Sequence, residues 1–293
     1  MTDDDRPAVV RTLDIDPRRD GPPPRPASTV VLLRDVGSAF EVFLVRRTPG
    51  AAFMAGAHVF PGGKLDDSDA SPELLEHVDG LTLASAATHL GGDLDPAVAM
   101  ALHVAAIRET FEESGVLLGA TGPGVSLPAL RRALLSGTPF LVAMRDARAV
   151  LDAAALVPYA RWITPAVEKR RFDARFFLAR APDGMVASHD AGETVAGAWV
   201  TPRHAVAAHL DGRLELPPPT LRTLEALSAF RSVDEACDDA RRRPPPVIRP
   251  VFKDLEGRWV LALPGDPEHP ERAQIIAGPT RFTRRPDGRF VSG

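Results

Sequence analysis

Residues 108–115, Arg-Glu-Thr-Phe-Glu-Glu-Ser-Gly, place three carboxylates and one guanidinium on a short stretch with helical spacing. Glu109, Glu112 and Glu113 stand at i, i+3 and i+4. On a helix their charges share one surface and repel by a few tenths of a kcal/mol per pair, and a bound divalent cation removes that repulsion. Carboxylate oxygens are hard ligands suited to Mg2+, with Mn2+ as a substitute. Glu109 and Glu113, one turn apart, reach the same ion, and Glu112 shares it or holds a second. Arg108, four residues before Glu112, is placed to orient a carboxylate. An ordinary solvated helix end is the plain alternative, since Glu and Arg are good helix formers.

Upstream, residues 56–64 read GAHVFPGGK, with Gly62 and Gly63 directly after an apolar strand end and a proline. A Gly-Gly turn leaves amides uncovered and lets backbone approach phosphate oxygens or lead into a metal-bearing helix. Together the two segments resemble the Nudix hydrolase signature, which runs Gly, five residues, Glu, seven residues, then Arg-Glu-hydrophobic-x-Glu-Glu-x-Gly-hydrophobic. Arg108, Glu109, Glu112, Glu113, Gly115 and Val116 fit, and Thr110 replaces the usual hydrophobe. Gly63 and Arg108 are 45 positions apart, so an insertion splits the signature. The place of the family's first glutamate falls on Asp69, a shorter acid to which the sequence assigns neither a metal nor a structural role.

Residues 53–63, FMAGAHVFPGG, with Phe43, Leu44, Arg47 and Thr48 at matching intervals, resemble one branch of that family. This branch contains the peroxisomal coenzyme A diphosphatases and their bacterial relatives. Ala52 stands where a second arginine is usual, and Val45 where threonine is. The resemblance implies an α+β fold, a Nudix-type α/β/α sandwich with a mixed central sheet. It implies metal-dependent hydrolysis of coenzyme A or acyl-coenzyme A to 3′,5′-ADP and (acyl-)4′-phosphopantetheine. The implied catalytic residues are Glu109, Glu112 and Arg108, the metal ligands Glu109, Glu112 and Glu113, and the substrate contacts Arg47, Phe60, Gly62 and Gly63. The general base stays open. Glu193 lies in a loop where some relatives place one, although a surface glutamate is the plainer reading, and His58 and His103 read as structural. Two further functions stay open: a Nudix enzyme for another nucleoside diphosphate derivative such as ADP-ribose or NADH, and a noncatalytic Nudix-like binding module. Against the module, the Glu-x-x-Glu-Glu core is intact and no fused DNA-binding segment is seen.

These groups need a scaffold. Asp95-Pro96 reads as a helix start and Gly115 as its stop, bounding a helix of roughly 20 residues. Met100, Val104, Ile107 and Phe111 form its apolar stripe, so the carboxylates face a cleft. Residues 29–34 and 41–46 read as a hairpin, residues 171–179 and 194–200 as strands, and residues 126–151, 202–210 and 220–230 as helical. Residues 247–253 and 258–263 read as a second hairpin. A mobile tail is expected at 1–26, the Nudix domain at 27–265 with two short helices at 67–94 covering the active-site mouth, and an extension at 266–293.

The chain has 293 residues, of which 44% are hydrophobic, enough for a sizeable core; no apolar run approaches the roughly 18 residues of a membrane span. The acidic start MTDDDRP and the single cysteine, Cys237, lead us to expect a reducing cytoplasm and no secretory signal. A net charge of −4 offers no general attraction to nucleic acid or anionic membrane. The basic runs at 169–171 and 241–243 read as solvated surface. The expected partner is a small nucleoside diphosphate substrate, and a homodimer stays open.

Overall fold

The computed structural model describes residues 16, 18–50, 54–185, 187–190 and 194–293. Ala52, Phe53, Glu193 and most of the expected N-terminal tail lie outside the described residues. In chain order the elements are β1 (Arg25–Val36), β2 (Ala39–Arg47), β3 (His58–Val59), β4 (Gly62–Lys64), α1 (Pro72–Leu75), β5 (Val78–Asp79), α2 (Leu83–His89) and α3 (Pro96–Ser114). They continue with β6 (Gly119–Ala120), α4 (Leu127–Leu135), α5 (Phe140–Asp146), β7 (Val150–Asp152), β8 (Val157–Ile163), β9 (Phe172–Arg180) and β10 (Thr194–Val200). The remainder are α6 (Pro202–Leu210), α7 (Pro218–Leu227), α8 (Val233–Arg241), β11 (Val247–Ile248), β12 (Val251–Leu255), β13 (Arg258–Ala262), β14 (Arg281–Arg284) and β15 (Phe290–Ser292).

The central sheet is mixed, in the order β10-β2-β1-β9-β8-β11, with β3 on β2 and β4 on β1. β1 and β2 form the expected hairpin around Gly37, whose φ of 59° suits a residue without a Cβ. β1 pairs in parallel with β9, bringing Arg25 opposite Phe172 and Thr29 opposite Phe176. Both faces of these strands are apolar, and successive side chains enter different cores. Val30 and Leu32 join Phe43 and Phe177 in one, against α2 to α5. Val31 and Leu33 join Leu44 and Leu178 in the other, with α6 to α8 and residues of the C-terminal strands. A sheet covered on both sides makes an α/β/α sandwich.

α3 starts and stops where its caps dictate. The Asp95 carboxylate accepts from the amides of Ala97 (2.9 Å) and Val98 (3.3 Å), and Gly115 closes the helix at φ 75°. The expected single stripe is wrong, however, because the helix is buried almost all round between the sheet and the inserted segment. Thr110, the departure from the Nudix pattern, is fully buried and donates its hydroxyl hydrogen bond to Ala106 O at 2.7 Å, so the polar substitution is satisfied inside the helix.

The inserted segment packs Leu74, Ala86, Ala87 and Leu90 against α3. None of its residues after Asp66 lines the main cavity, so it is not the cover over the active-site mouth that the sequence suggested. The span expected to be helical at 126–151 divides into α4, α5 and β7, because Gly137 at φ 98° ends one helix and Pro139 caps the next. In place of the second hairpin as read, Val247–Ile248 leaves to pair in parallel with β8, and only β12 and β13 pair with each other. β8 and α8 carried no sequence expectation.

Residues beyond 265 add β14 to β13 and β15 to β14, and they place Phe282, fully buried, in the second core. Phe282→Ala is expected to lower the unfolding free energy by about 3–5 kcal/mol, measured by urea denaturation. A loss below about 1 kcal/mol would mean that these strands do not share the core.

Candidate active site

β4 lies beside β1, with Gly62 opposite Thr29 and Gly63 opposite Ser28, and α3 passes next to it. The Ser28 hydroxyl donates to Leu102 O at 2.6 Å, fixing the helix to the strand. The two glycines therefore meet the helical carboxylates directly. Gly62 N–H donates to Glu113 Oε2 at 2.9 Å. A Cβ at Gly63 would stand 2.4 Å from the Glu109 carboxylate, so a side chain there would displace Glu109.

Arg108 organises the cluster. It is 6% exposed and grips Asp69 in two-pronged fashion, Nε to Oδ1 at 2.8 Å and Nη2 to Oδ2 at 2.9 Å, while also donating to Lys64 O at 3.2 Å. Its remaining nitrogen reaches Glu109 at 2.7 Å and Glu112 at 3.5 Å. Asp69 is fully buried and also accepts from Asp66 N at 2.9 Å. The shorter acid thus has a structural role that the sequence reading withheld from it, because the fold, and not the chain, sets its distance to Arg108. The C-terminal end of α3 is held by Arg131, which donates to Glu112 O at 2.8 Å and to Ser188 Oγ at 3.0 Å.

Burial dominates the electrostatics. It pushes Glu113 up to about 8, helped by the Glu109 charge and opposed by the Gly62 amide and Arg47. Burial likewise raises Glu112 to about 7 despite Arg108. Burial opposes the Arg108 charge too, but Asp69 and the glutamates outweigh it and hold the guanidinium well above its usual value. A divalent cation fits this donor set, since it would stabilise ionised Glu113, whose carboxylate is buried yet balanced only in part. Among the described residues no three ligating side chains already converge on one point. Glu109 turns to Arg108 and Glu113 to Gly62.

These groups open into a cavity of about 860 Å³. Arg47, Phe60, Gly62, Gly63, Arg108, Glu109, Glu112 and Glu113, separate in sequence, all line it. Phe60 is buried edge-on against Phe176 at 6.4 Å. His103 lies elsewhere, fully buried with Nδ1 at 2.8 Å from Ala99 O, and neither it nor His58 lines the cavity. Burial lowers both histidines to about 4. Asp190, absent from the sequence reading, lines the same cavity and raises Glu113 further by its charge. It is held by the amide and hydroxyl of Thr194. Its only sequence signal was a polar loop ahead of β10.

Two outcomes follow from this geometry. Arg108→Ala and Asp69→Ala each strip a buried charge of its partner and are expected to cost about 3–5 kcal/mol, with the double variant costing much less than the sum. Additive losses in a denaturation cycle would contradict the pairing. Glu112 and Glu113 have folded values above their unfolded 4.5, so their contribution is full below about pH 4.5 and is lost as pH rises through 7 to 8. Melting of the chelator-treated protein should therefore fall across that window, and Glu113→Gln should flatten the fall. An unchanged slope would rule out a buried, raised Glu113.

The family model of the NUDT19 Nudix domain matches residues 22–227. The acyl-coenzyme A diphosphatase NUDT19 of Xenopus laevis is 28% identical over 276 residues, covering 80% of this chain and 72% of that protein. Its Homo sapiens counterpart is 31% identical over 236 residues, covering 67% of this chain and 62% of its own length. A crystal structure of a NUDIX hydrolase from Alicyclobacillus acidocaldarius is 32% identical with a TM-score of 0.62, covering 73% of this chain and 96% of that one. With the split signature reassembled around Arg108, the chain belongs to the NUDT19 Nudix domain family and is a Nudix hydrolase.

Proposed function

We propose that this chain hydrolyses the diphosphate of coenzyme A or its thioesters, releasing 3′,5′-ADP and (acyl-)4′-phosphopantetheine. The observation that carries the proposal is the junction of the Glu109, Glu112 and Glu113 carboxylates with one cavity of about 860 Å³, large enough for a nucleotide and part of its appendage. The coenzyme A motif contributes Arg47 and Phe60 to that same cavity. The relatives named as acyl-coenzyme A diphosphatases support this substrate.

Glu109, Glu112 and Glu113 would hold Mg2+, with Mn2+ as a substitute. When bound, the ion neutralises diphosphate oxygens and favours water as a nucleophile at phosphorus. The chain's own residues do the rest. Arg108, locked by Asp69, holds Glu109 and keeps Glu112 within reach, which fixes the carboxylates before substrate arrives. Arg47 supplies positive charge beside Glu113 for the substrate's phosphates. Glu112, more exposed than the other two, is suited to take the proton of the attacking water on a carboxylate oxygen. The new P–O bond forms as the bridging P–O bond breaks, and the bridging oxygen leaves with the other phosphate.

Mass analysis of products with magnesium is the direct test, across coenzyme A, acyl-coenzyme A, ADP-ribose and NADH. We expect 3′,5′-ADP chiefly from the coenzyme A compounds, whereas AMP chiefly from ADP-ribose or NADH would reject the substrate. Glu112→Gln and Glu113→Gln should each abolish turnover while leaving melting equal or higher, because each replaces a carboxyl group whose charged form burial disfavours. Retained turnover in both would reject the metal-site assignment.

A further inference from the structure

The cavity has a second charged end. Lys169, Arg170 and Arg171 on the hairpin between β8 and β9, with Arg25 at the start of β1, line it as well. Arg25, Ala27 and Thr29 alternate onto the cavity side of β1. Thr29 pairs with Gly62, so Arg25 lies four residues, about 13 Å, along the strand from the carboxylate end. Between the ends the floor is apolar, with Ala27 and Ala174 flanked by Phe172 and Phe176.

These cations are gathered on a braced piece of backbone. Arg25 N donates to Arg171 O at 2.9 Å, Gly21 N to Ala166 O at 2.9 Å and Asp16 N to Val167 O at 3.1 Å. The Arg171 guanidinium spends its bonds on carbonyls, with Nε to Thr164 O at 3.1 Å and Nη1 to Pro22 O at 2.9 Å. A Cβ at Gly21 would stand 2.5 Å from Ala166 O, so the strap fits the hairpin only as glycine. Arg25, Lys169 and Arg170 have no ion-pair partner among the described residues and are exposed at the rim. Glu168, on the same wall, is buried. Four cations held together with one carboxylate repel one another, and an anion in the cavity would relieve that cost.

The geometry points to a phosphomonoester subsite formed by Arg25, Lys169 and Arg170, which takes a second phosphate carried on the nucleotide ribose while its diphosphate lies against the glutamates. This rests on the coenzyme A reading and sharpens it. The enzyme selects substrates with a 3′-phosphate over the same diphosphates without one. The base lies over the apolar floor between the two charged ends. The run at 169–171, read from sequence as solvated surface, is thereby assigned to the site.

The test compares coenzyme A with 3′-dephospho-coenzyme A, using the wild-type chain and a Lys169→Ala/Arg170→Ala double variant shown by melting to be folded. The wild type should favour coenzyme A in kcat/KM by about 10-fold or more, in keeping with loss of a charge-assisted contact. The double variant should bring the ratio close to one, and a Lys169→Arg/Arg170→Lys variant should restore it. No preference in the wild type, or a preference untouched by the double variant, overturns the subsite. If the wild type cleaves neither compound, the coenzyme A reading falls separately. The subsite is then judged by binding alone: 3′,5′-ADP should bind more tightly than 5′-AMP in the wild type and equally in the double variant, and equal binding in the wild type overturns it.

Discussion

The buried pair between Arg108 and Asp69 is the contact on which the rest of the site depends. Burying two charges is costly unless each is fully engaged, and here the guanidinium is engaged on several sides at once. It holds Asp69 with two bonds, Lys64 O with a third and Glu109 with a fourth. The bond network joins the end of β4, the start of the insertion and the functional end of α3. The carboxylates of α3 are therefore placed by an interaction in which only one of them takes a principal part. An arginine whose bonds go to its own chain can still decide whether the acids face the cavity.

The site's electrostatics are divided along one strand. At the Gly62 end of β1, carboxylates accumulate beyond what Arg108 and Arg47 balance, and burial drives Glu112 and Glu113 toward protonation. At the Arg25 end, cations accumulate on the hairpin between β8 and β9. The apolar floor of Ala27 and Ala174 separates the two ends. Parallel pairing of β1 with β9 makes this arrangement possible, because it lays Arg25 beside Phe172 and the hairpin that precedes it.

Much of this was legible in the chain because the signals were local. The Asp95-Pro96 start and Gly115 stop bounded α3, and the spacing of Glu109, Glu112 and Glu113 put them on one surface. What escaped depended on tertiary context. Pro158 interrupts the run that becomes β8, although a bulge between Pro158 and Ala160 accommodates it. The Ser-x-x-Glu start of α8 at Ser232 was a readable cap, with Glu235 N donating to Ser232 Oγ at 3.2 Å, but it stands in a charged stretch without a clear apolar run. Asp69 stood at the place of the family's first glutamate but looked too short for it, and no local rule predicts that the fold will bring it beneath Arg108. Asp190 became a neighbour of the glutamates only through its loop, and Arg131 only through the packing of α4 on α3.

The inserted segment has a consequence for how such a motif can change over time. Lengthening the connection between Gly63 and Arg108 from the family's 14 positions to 45 adds only about 1 kcal/mol of loop-closure entropy. The inserted residues offset that cost by burying Leu74, Ala86, Ala87 and Leu90 against α3. A catalytic signature is thus free to be interrupted where its halves are anchored separately, Gly62 and Gly63 by β1 and the acids by Arg108. Beyond Asp69, chain continuity through the signature is dispensable, and the interruption becomes a place where new surface can be acquired while Asp69 still holds Arg108.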